Sequence, residues 1–223
     1  MLPSPTSKID LEGRVFYVKR DDLLYPHLAG NKFRKFYSLL HTSNSDYNKI
    51  ISYGGTQSNA MLAIAFLCKT KKWLFEYYTK PLPKKMKEQR LGNFYESKKL
   101  GMKHIEIDTL MYKDYIAGLG VSTEKKTFLL DQGGANKLAQ EGIELLAQEI
   151  IAEPLGIKSI AIPSGTGTTA LYLALALPEY KVYTIACIGN TDYLKEQMQA
   201  LHKIPDNLEF LELGKKYHFA KPY

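Results

Sequence analysis

The sequence is poor in cysteine, and its hydrophobic residues never form a long run. Cys68 and Cys187 are its only cysteines. They cannot build a disulfide framework, and neither has a second Cys or a His at metal-ligand spacing. The most apolar window, residues 170–177, is far shorter than the roughly 18 residues that suggest a membrane-spanning helix. The first residues, MLPSPTSKIDLEGR, lack the apolar core of a signal peptide. We therefore expect a reduced, cytoplasmic protein with no metal site and no membrane partner.

The composition itself is that of a globular protein. Hydrophobic residues make up 45% of the 223 residues and charged residues 24%. These values exclude a wholly disordered, collagen-like or coiled-coil chain. The length allows one large domain or two small ones, with enough chain to bury a core.

The net charge of +7 is concentrated in one segment. Residues 69–103 hold eleven Lys or Arg and three Glu, whereas the rest of the chain has nineteen bases and twenty acids. A basic patch of this kind could attract nucleic acid. The segment has no evenly interleaved aromatic residues and no nucleic-acid motif, so we interpret it as a solvated helix face and loop. We expect no nucleic-acid partner.

Short β-branched or aromatic runs alternate with helical patterns along most of the chain. This alternation is typical of βαβ units and parallel sheets, which predicts an α/β fold. We expect strands at 14–19, 49–53, 73–78, 103–107, 127–130, 159–162, 181–186 and 208–213. We expect helices at 32–40, 57–68, 85–100, 136–151, 168–177 and 192–202.

Residues 164–169, SGTGTT, form a glycine-rich turn between an apolar strand and a helix. Glycines let a ligand approach the backbone, and hydroxyls and free N–H groups at a helix N-terminus favour a phosphate. The turn lacks the lysine of a Walker loop and fits a GxGxxG fingerprint only loosely. A phosphate carried by something other than a nucleoside triphosphate fits best. A plain helix cap rich in Ser and Thr is the alternative.

Two other turns carry candidate residues. Residues 54–59, GGTQSN, enter a helix, where Ser58 and Asn59 can either cap the backbone or face a ligand. Lys32 directly follows Gly30 and Asn31 at the start of another helix. Taken alone, it is typical of a surface lysine.

Together, four blocks of the sequence resemble a known family in order and spacing. They are VKRDDLLYPHLAGNKFRKFYSLL, SYGGTQSNAMLAIA, QGGANKLAQEGIELLAQEI and IPSGTGTTALYLA. The chain resembles, from residue 20 to about 217, the pyridoxal-phosphate enzymes related to 1-aminocyclopropane-1-carboxylate deaminase and D-cysteine desulfhydrase. The KRDDL…GNKxRK and GGxQSN blocks carry most of this resemblance, whereas the GGAN block and the Gly/Thr turn support it.

The resemblance implies a role for each candidate residue. Lys32 would form the Schiff base with the aldehyde of the cofactor, pyridoxal 5'-phosphate. Its amine must then be largely uncharged, and a cationic, partly buried neighbourhood with Arg34 and Lys35 would help to lower its pKa. Asn59 would hydrogen-bond the ring hydroxyl of the cofactor, and Ser58 would be the active-site serine. Gln57, Ser58 and Asn59 would cradle the substrate carboxylate, and the cofactor phosphate would bind Ser164, Gly165, Thr166, Gly167 and Thr168.

The resemblance also implies a fold and a reaction. The fold would be the two-domain, parallel-sheet α/β fold of the tryptophan synthase β-subunit group (fold type II). Residues 1–47 and 131–223 would form the larger, cofactor-anchoring domain and residues 48–130 the smaller one. The family extends beyond the end of this chain, which implies a C-terminal truncation that leaves the larger domain incomplete. The protein would act on a small amino acid as a homodimer.

For the reaction, the resemblance implies a lyase, or a deaminase of the hydrolase class, in amino-acid metabolism. We favour D-cysteine desulfhydration, which releases a 2-oxo acid, ammonia and sulfide. Ala60 stands where the family commonly has His or Gln, which indicates a simplified pocket and argues against cyclopropane ring opening. The alternatives are 1-aminocyclopropane-1-carboxylate deamination and a non-catalytic remnant of the family.

Overall fold

A computed structural model describes residues 3–25, 27–28, 30–88, 90–120 and 125–214. By packing, the chain divides into two units, residues 1–134 and 135–223. The sequence-predicted division, with residues 1–47 joined to 131–223, stays a prediction. The C-terminal residues KYHFAKPY and the lysine before them lie outside the described ranges.

Unit 1 is built on a four-stranded, all-parallel sheet. The strands are β3 (Lys49–Tyr53), β4 (Leu74–Thr79), β5 (Lys103–Glu106) and β6 (Thr127–Leu130). Their order in the sheet is β5-β4-β3-β6. The helices are α1 (Asn31–Lys35), α2 (Tyr37–His41), α3 (Asn59–Lys71), α4 (Lys84–Glu88), α5 (Asn93–Lys99) and α6 (Tyr112–Leu119).

The core of unit 1 lies between this sheet and α3. Alternate side chains of the strands, such as Ile50 and Phe75, join Ile64 and Leu67 of α3 in one buried cluster. Helix α3 is apolar over most of its circumference, as expected for a helix surrounded by protein. Phe36, between α1 and α2, belongs to the same cluster. The N-terminal segment therefore packs on the core that the sheet and α3 build.

An antiparallel hairpin precedes these elements. Strands β1 (Thr6–Leu11) and β2 (Arg14–Lys19) pair around a turn at Glu12 and Gly13, both of which have positive φ. The sequence pattern predicts β2 but not β1. The helix predicted at 85–100 is two helices, α4 and α5, because Gly92 adopts φ +87 just before α5 begins.

Unit 2 contains a three-stranded parallel sheet. The strands are β7 (Ser159–Ser164), β8 (Lys181–Ala186) and β9 (Leu208–Leu211), and the helices are α7 (Ala139–Ala152), α8 (Thr168–Ala176) and α9 (Thr191–Gln199). The strand order is β7-β8-β9. Helix α8 lies at the centre of the unit, and its apolar residues pack on α7, α9 and the sheet. Both units thus have parallel sheets, which confirms the predicted α/β class.

Candidate active site

Two glycine-containing turns lie at the same edge of the unit 1 sheet. Strands β3 and β6 are parallel neighbours, so the chain leaves both at their carboxyl ends. Residues 54–58 follow β3, and a 3-10 turn at Gln132–Gly134 follows β6. A Cβ built on Gly54 would lie 3.2 Å from Cγ of Gln132, so the two turns are in close contact. The carboxyl edge of a parallel sheet is where ligands bind in folds of this kind.

The second of these turns receives the amines of two lysines. Lys32 Nζ lies 3.3 Å from the carbonyl oxygen of Gly133, and Lys35 Nζ lies 3.1 Å from the same oxygen. Lys32 and Lys35 are three residues apart, so they project from one face of α1. Helix α1 and the 3-10 turn also both contact α3. The structure therefore places Lys32 beside the turns that follow β3 and β6.

The position of these amines favours their uncharged forms. Burial lowers the pKa of Lys32 to about 8. Burial also lowers the pKa of Lys35 well below its usual range, and the charge of Lys32 lowers it further. An amine attacks a carbonyl only when it is uncharged, so Lys32 has a sizeable reactive fraction near neutral pH.

Arg34 has a different role from the one predicted. Its guanidinium donates to both carboxylate oxygens of Asp21, at 3.0 and 2.8 Å, and lies 3.2 Å from Oγ of Ser4. The predicted effect of partial burial on the pKa of Lys32 is confirmed, since burial is the cause of its fall. The predicted effect of the charges of Arg34 and Lys35 on that pKa is wrong, and Asp21 neutralises Arg34.

Ser58 and Asn59 lie where the turn that follows β3 ends and α3 begins. Ser58 is the N-cap residue, and its Oγ accepts a hydrogen bond of 3.3 Å from the backbone N–H of Met61. Asn59 Oδ1 accepts a 2.8 Å bond from Asn93 Nδ2, which also donates to the carbonyl of Gln57 at 3.0 Å. With its oxygen engaged, the group that the exposed Asn59 amide can present to a ligand is its N–H.

Tyr77 packs against the turn that follows β3, residues 54–58. Its hydroxyl donates to the carbonyl of Gly55 at 3.1 Å. Burial raises the pKa of Tyr77, and a hydrogen bond with Ser58 opposes part of that rise. A Cβ on Gly54 would lie 3.0 Å from this hydroxyl, and Gly54 has φ +137, so the turn requires glycine here.

The remaining predicted residues form a turn in unit 2, between β7 and α8. Gly167 has φ +73, and a Cβ there would lie 2.3 Å from Cε of Met198. Thr166 Oγ1 and Thr168 Oγ1 are 3.1 Å apart. Gly167 is the N-cap residue of α8 and provides no side-chain cap. A helix start with a glycine N-cap can receive an anion such as phosphate.

Ser164 lies deeper than the other residues of this turn. It is the last residue of β7, and its Oγ is 2.8 Å from Oγ1 of Thr184 on β8. Its carbonyl accepts a 2.8 Å bond from the N–H of Cys187. The side chain therefore joins two neighbouring strands within the sheet.

The predicted site residues thus fall into two groups. Lys32, Gln57, Ser58 and Asn59 belong to unit 1, and Ser164 to Thr168 belong to unit 2. Sequence reasoning missed Asn93, which holds Asn59, and treated Lys35 only as a charged neighbour. The Gly92-Asn93 pair, at which α5 begins, is a turn signal that could have indicated Asn93.

The described part of the chain gives no sign of a metal centre or a membrane segment. Within it, no three His, Cys, Asp or Glu side chains are grouped as a metal ion would require. The helices that the structure describes are all too short or too polar to cross a bilayer.

Comparison with known proteins gives matches by structure only. No protein-family model matches the sequence, and no curated protein sequence does. The structure is similar to that of an ACC deaminase homologue, with a TM-score of 0.67 and 22% identity, over 89% of this chain and 66% of that one. A hydrogen sulfide-producing enzyme from Fusobacterium nucleatum gives a TM-score of 0.62 and 14% identity, over 94% and 78%. A pyridoxal 5'-phosphate-dependent aspartate racemase gives 0.63 and 14%, over 91% and 62%.

These matches establish the fold. The neighbours have the tryptophan synthase β-subunit-like fold, and the chain shares their architecture. This confirms the predicted fold class. The chain spans 66% of the length of the ACC deaminase homologue.

Proposed function

We propose that the protein is a pyridoxal-phosphate-dependent lyase or deaminase that acts on a small amino acid, with D-cysteine as the favoured substrate. One observation carries the proposal: a lysine amine with a pKa of about 8 lies at the carboxyl edge of a parallel sheet, against the Gly133 carbonyl. The similarity in fold to pyridoxal-phosphate enzymes supports the cofactor. The similarity to a hydrogen sulfide-producing enzyme supports the substrate.

The residues of unit 1 fit such a cofactor. Lys32 would hold it through a bond between its nitrogen and the aldehyde carbon, for which an uncharged amine is needed. The amide oxygen of Asn59 is bound to Asn93, so Asn59 presents its N–H group. A ring oxygen of the cofactor needs a hydrogen-bond donor of this kind. Lys32 and Asn59 therefore supply one nucleophile and one donor.

The turn of unit 2 fits the phosphate. Gly165 and Gly167 add no side chain of their own to the turn, and Gly167, the N-cap residue, makes no side-chain bond to the N–H groups that begin α8. The hydroxyls of Thr166 and Thr168 lie at the same helix start. We propose that these groups bind the phosphate, because the positive end of a helix stabilises an anion.

When bound, pyridoxal phosphate supplies an electron sink for the charge left on Cα after an amino acid loses a proton. The chain supplies the remaining functions. Lys32, once its nitrogen is released, takes that proton at Nζ, for which a pKa near 8 is well matched. Ser58 accepts the Met61 N–H at its oxygen and is hydrogen-bonded to Tyr77, and its proton would pass to the substrate in place of the bond to Tyr77. Gln57 and the start of α3 bind the substrate carboxylate through N–H groups.

Labelling of the lysine tests the cofactor role. The protein is incubated with pyridoxal phosphate, reduced with borohydride and mapped by mass spectrometry. We expect a pyridoxyl group on Lys32 and none in Lys32→Ala. Lys35→Met is the matched control, because Lys35 shares the same acceptor, and it should still be labelled on Lys32. A label on Lys35 in the wild type would refute the assignment.

Product analysis tests the substrate. D-cysteine, L-cysteine and 1-aminocyclopropane-1-carboxylate are compared for release of pyruvate, sulfide and 2-oxobutanoate. We expect sulfide and pyruvate from D-cysteine. Release of 2-oxobutanoate alone would favour the deaminase, the activity named for one structural neighbour. Labelling without any product would indicate a cofactor-binding remnant.

A comparison of two aldehydes tests whether the turn at residues 164–169 binds the cofactor phosphate. Pyridoxal phosphate and pyridoxal differ only in the phosphate group, so the ratio of their affinities measures phosphate recognition. We expect Thr168→Val to reduce the preference for pyridoxal phosphate while labelling of Lys32 by pyridoxal is unchanged. An equal loss with both aldehydes would contradict the phosphate role. The proposed homodimer is tested separately by light scattering.

A further inference from the structure

We propose that Asp21 and Arg34 are positioning residues, which hold helix α1 so that the amine of Lys32 stays at the Gly133 carbonyl. The proposal rests on the role proposed above for Lys32. Neither Asp21 nor Arg34 contacts Gly133 in the bonds described, so both would act through α1 and not on a ligand.

Helix α1 needs such support because it is a single turn. It has five residues, and its N-cap residue, Gly30, provides no side-chain cap. Isolated helices of this length are unstable, since nucleation fixes several residues for one hydrogen bond. Its position must therefore come from contacts outside the helix.

Asp21 holds α1 at both ends. Its carbonyl oxygen accepts a 2.9 Å bond from the N–H of Gly30, the N-cap residue of α1. Its carboxylate accepts two bonds from Arg34, in the last turn of α1, and a third of 2.7 Å from the hydroxyl of Ser4. One aspartate thus fixes the start and the end of the helix.

Arg34 and Lys32 project from opposite sides of the helix. They are two residues apart, which corresponds to about 200° of rotation at 3.6 residues per turn. Arg34 binds Asp21 on one side, whereas Lys32 and Lys35 bind Gly133 on the other. If Arg34 is released, α1 can rotate or shift, and the Lys32 amine then gains access to water.

The chain contains a matched control for this pair. Arg20 and Asp22 also make two side-chain bonds, at 2.9 and 2.7 Å. That pair is exposed, with 34% and 55% of the side chains accessible, whereas the buried pair has 0% for Arg34 and 13% for Asp21. The two pairs share chemistry and differ in burial and in contact with α1.

The experiment measures the ionisation of Lys32 without cofactor. The full chain is trace-labelled with acetic anhydride from pH 6 to pH 11, and the Lys32 label is quantified by mass spectrometry. The variants are R34K, which keeps the charge but loses the two-bond geometry, and R34M/D21L, which replaces the buried pair with apolar groups, a change that proteins often tolerate. The controls are R20K and R20M/D22L. Trp73 fluorescence and far-UV circular dichroism verify the fold of each variant.

We expect R34K and R34M/D21L to raise the pKa of Lys32 from about 8 by at least one unit, because the freed amine is better hydrated. One unit lowers the labelling rate at pH 8 about fivefold. The controls should match the wild type. A Lys32 titration that is unchanged in both variants would refute the proposal, even if their melting temperatures fall. Failure of pyridoxal phosphate to label the wild type would refute the proposed function and leave this result standing.

Discussion

Replacing Gly134 by alanine should destabilise unit 1 through a steric clash. Gly134 has φ +71, and a Cβ built there would lie 2.7 Å from Cε1 and 2.9 Å from Cζ of Phe36. Phe36 is fully buried in the core of unit 1, so its ring cannot move aside freely. The substitution therefore combines a strained backbone with overpacking.

Gly13 separates these two effects. It has φ +75, but a Cβ there would meet nothing within 4 Å. Gly13→Ala should therefore lower the unfolding free energy only through the strain of a positive φ, by roughly 1–2 kcal/mol. Overpacking in a buried site adds about 1–3 kcal/mol. We expect Gly134→Ala to lose roughly 2–5 kcal/mol in total.

The assay is urea denaturation followed by tryptophan fluorescence. Trp73 is the single tryptophan of the chain, and it is buried in the core of unit 1, where its Nε1 donates to the carbonyl of Asn44. Its emission therefore reports unfolding of that unit. Equal losses of stability in Gly134→Ala and Gly13→Ala would refute the argument, because the clash with Phe36 would then contribute nothing.

Three other predictions follow from the same structure. The unfolding free energy of the wild type minus that of Lys32→Met should rise by up to about 3 kcal/mol between pH 8 and pH 10.5. The unfolded state retains the lysine proton in this range and the folded state does not; a flat difference in urea titrations would contradict it. Ser58→Ala should cost about 1 kcal/mol, because α3 loses its N-cap bond, and a loss below the error of urea denaturation would contradict this. Gly167→Ala should lose more stability by circular dichroism than Gly156→Ala, because a Cβ at Gly167 meets Met198 and one at Gly156 meets nothing within 4 Å; equal losses would argue against this contact.

The buried strands could be predicted from the sequence because their pattern is local. Residues 49–53, 127–130 and 181–186 are apolar runs with clear ends, and the structure has strands at these bounds. Strand β1 was missed because Lys8 and Asp10 interrupt its apolar residues. The alternation on both sides of Glu12-Gly13 was the available signal. Helix α6 was missed because none of its residues is buried.

The candidate site was less predictable, because its contacts join distant parts of the chain. The acceptor of the Lys32 amine is Gly133, which is 101 residues away. Spacing alone described Lys32 as a surface lysine, and only the family resemblance gave it a role. The side chain of Arg34 binds Asp21 and Ser4. The helical pattern of residues 31–35 does not show where those two residues lie.

The peptide group between Gly133 and Gly134 links the two amines to the backbone after β6. Its carbonyl accepts from Lys32 and Lys35, and its N–H, at Gly134, donates to the carbonyl of Asp131 at 2.9 Å. Hydrogen bonds in such a chain polarise one another, so a charged amine at one end weakens the C=O bond and strengthens the bond at the other end. The stretching frequency of this single carbonyl, isolated by isotope labelling of Gly133, should therefore be lower than that of an ordinary turn peptide. It should rise when either amine loses its proton or is modified, which makes this peptide an infrared reporter of the charge on the lysine pair.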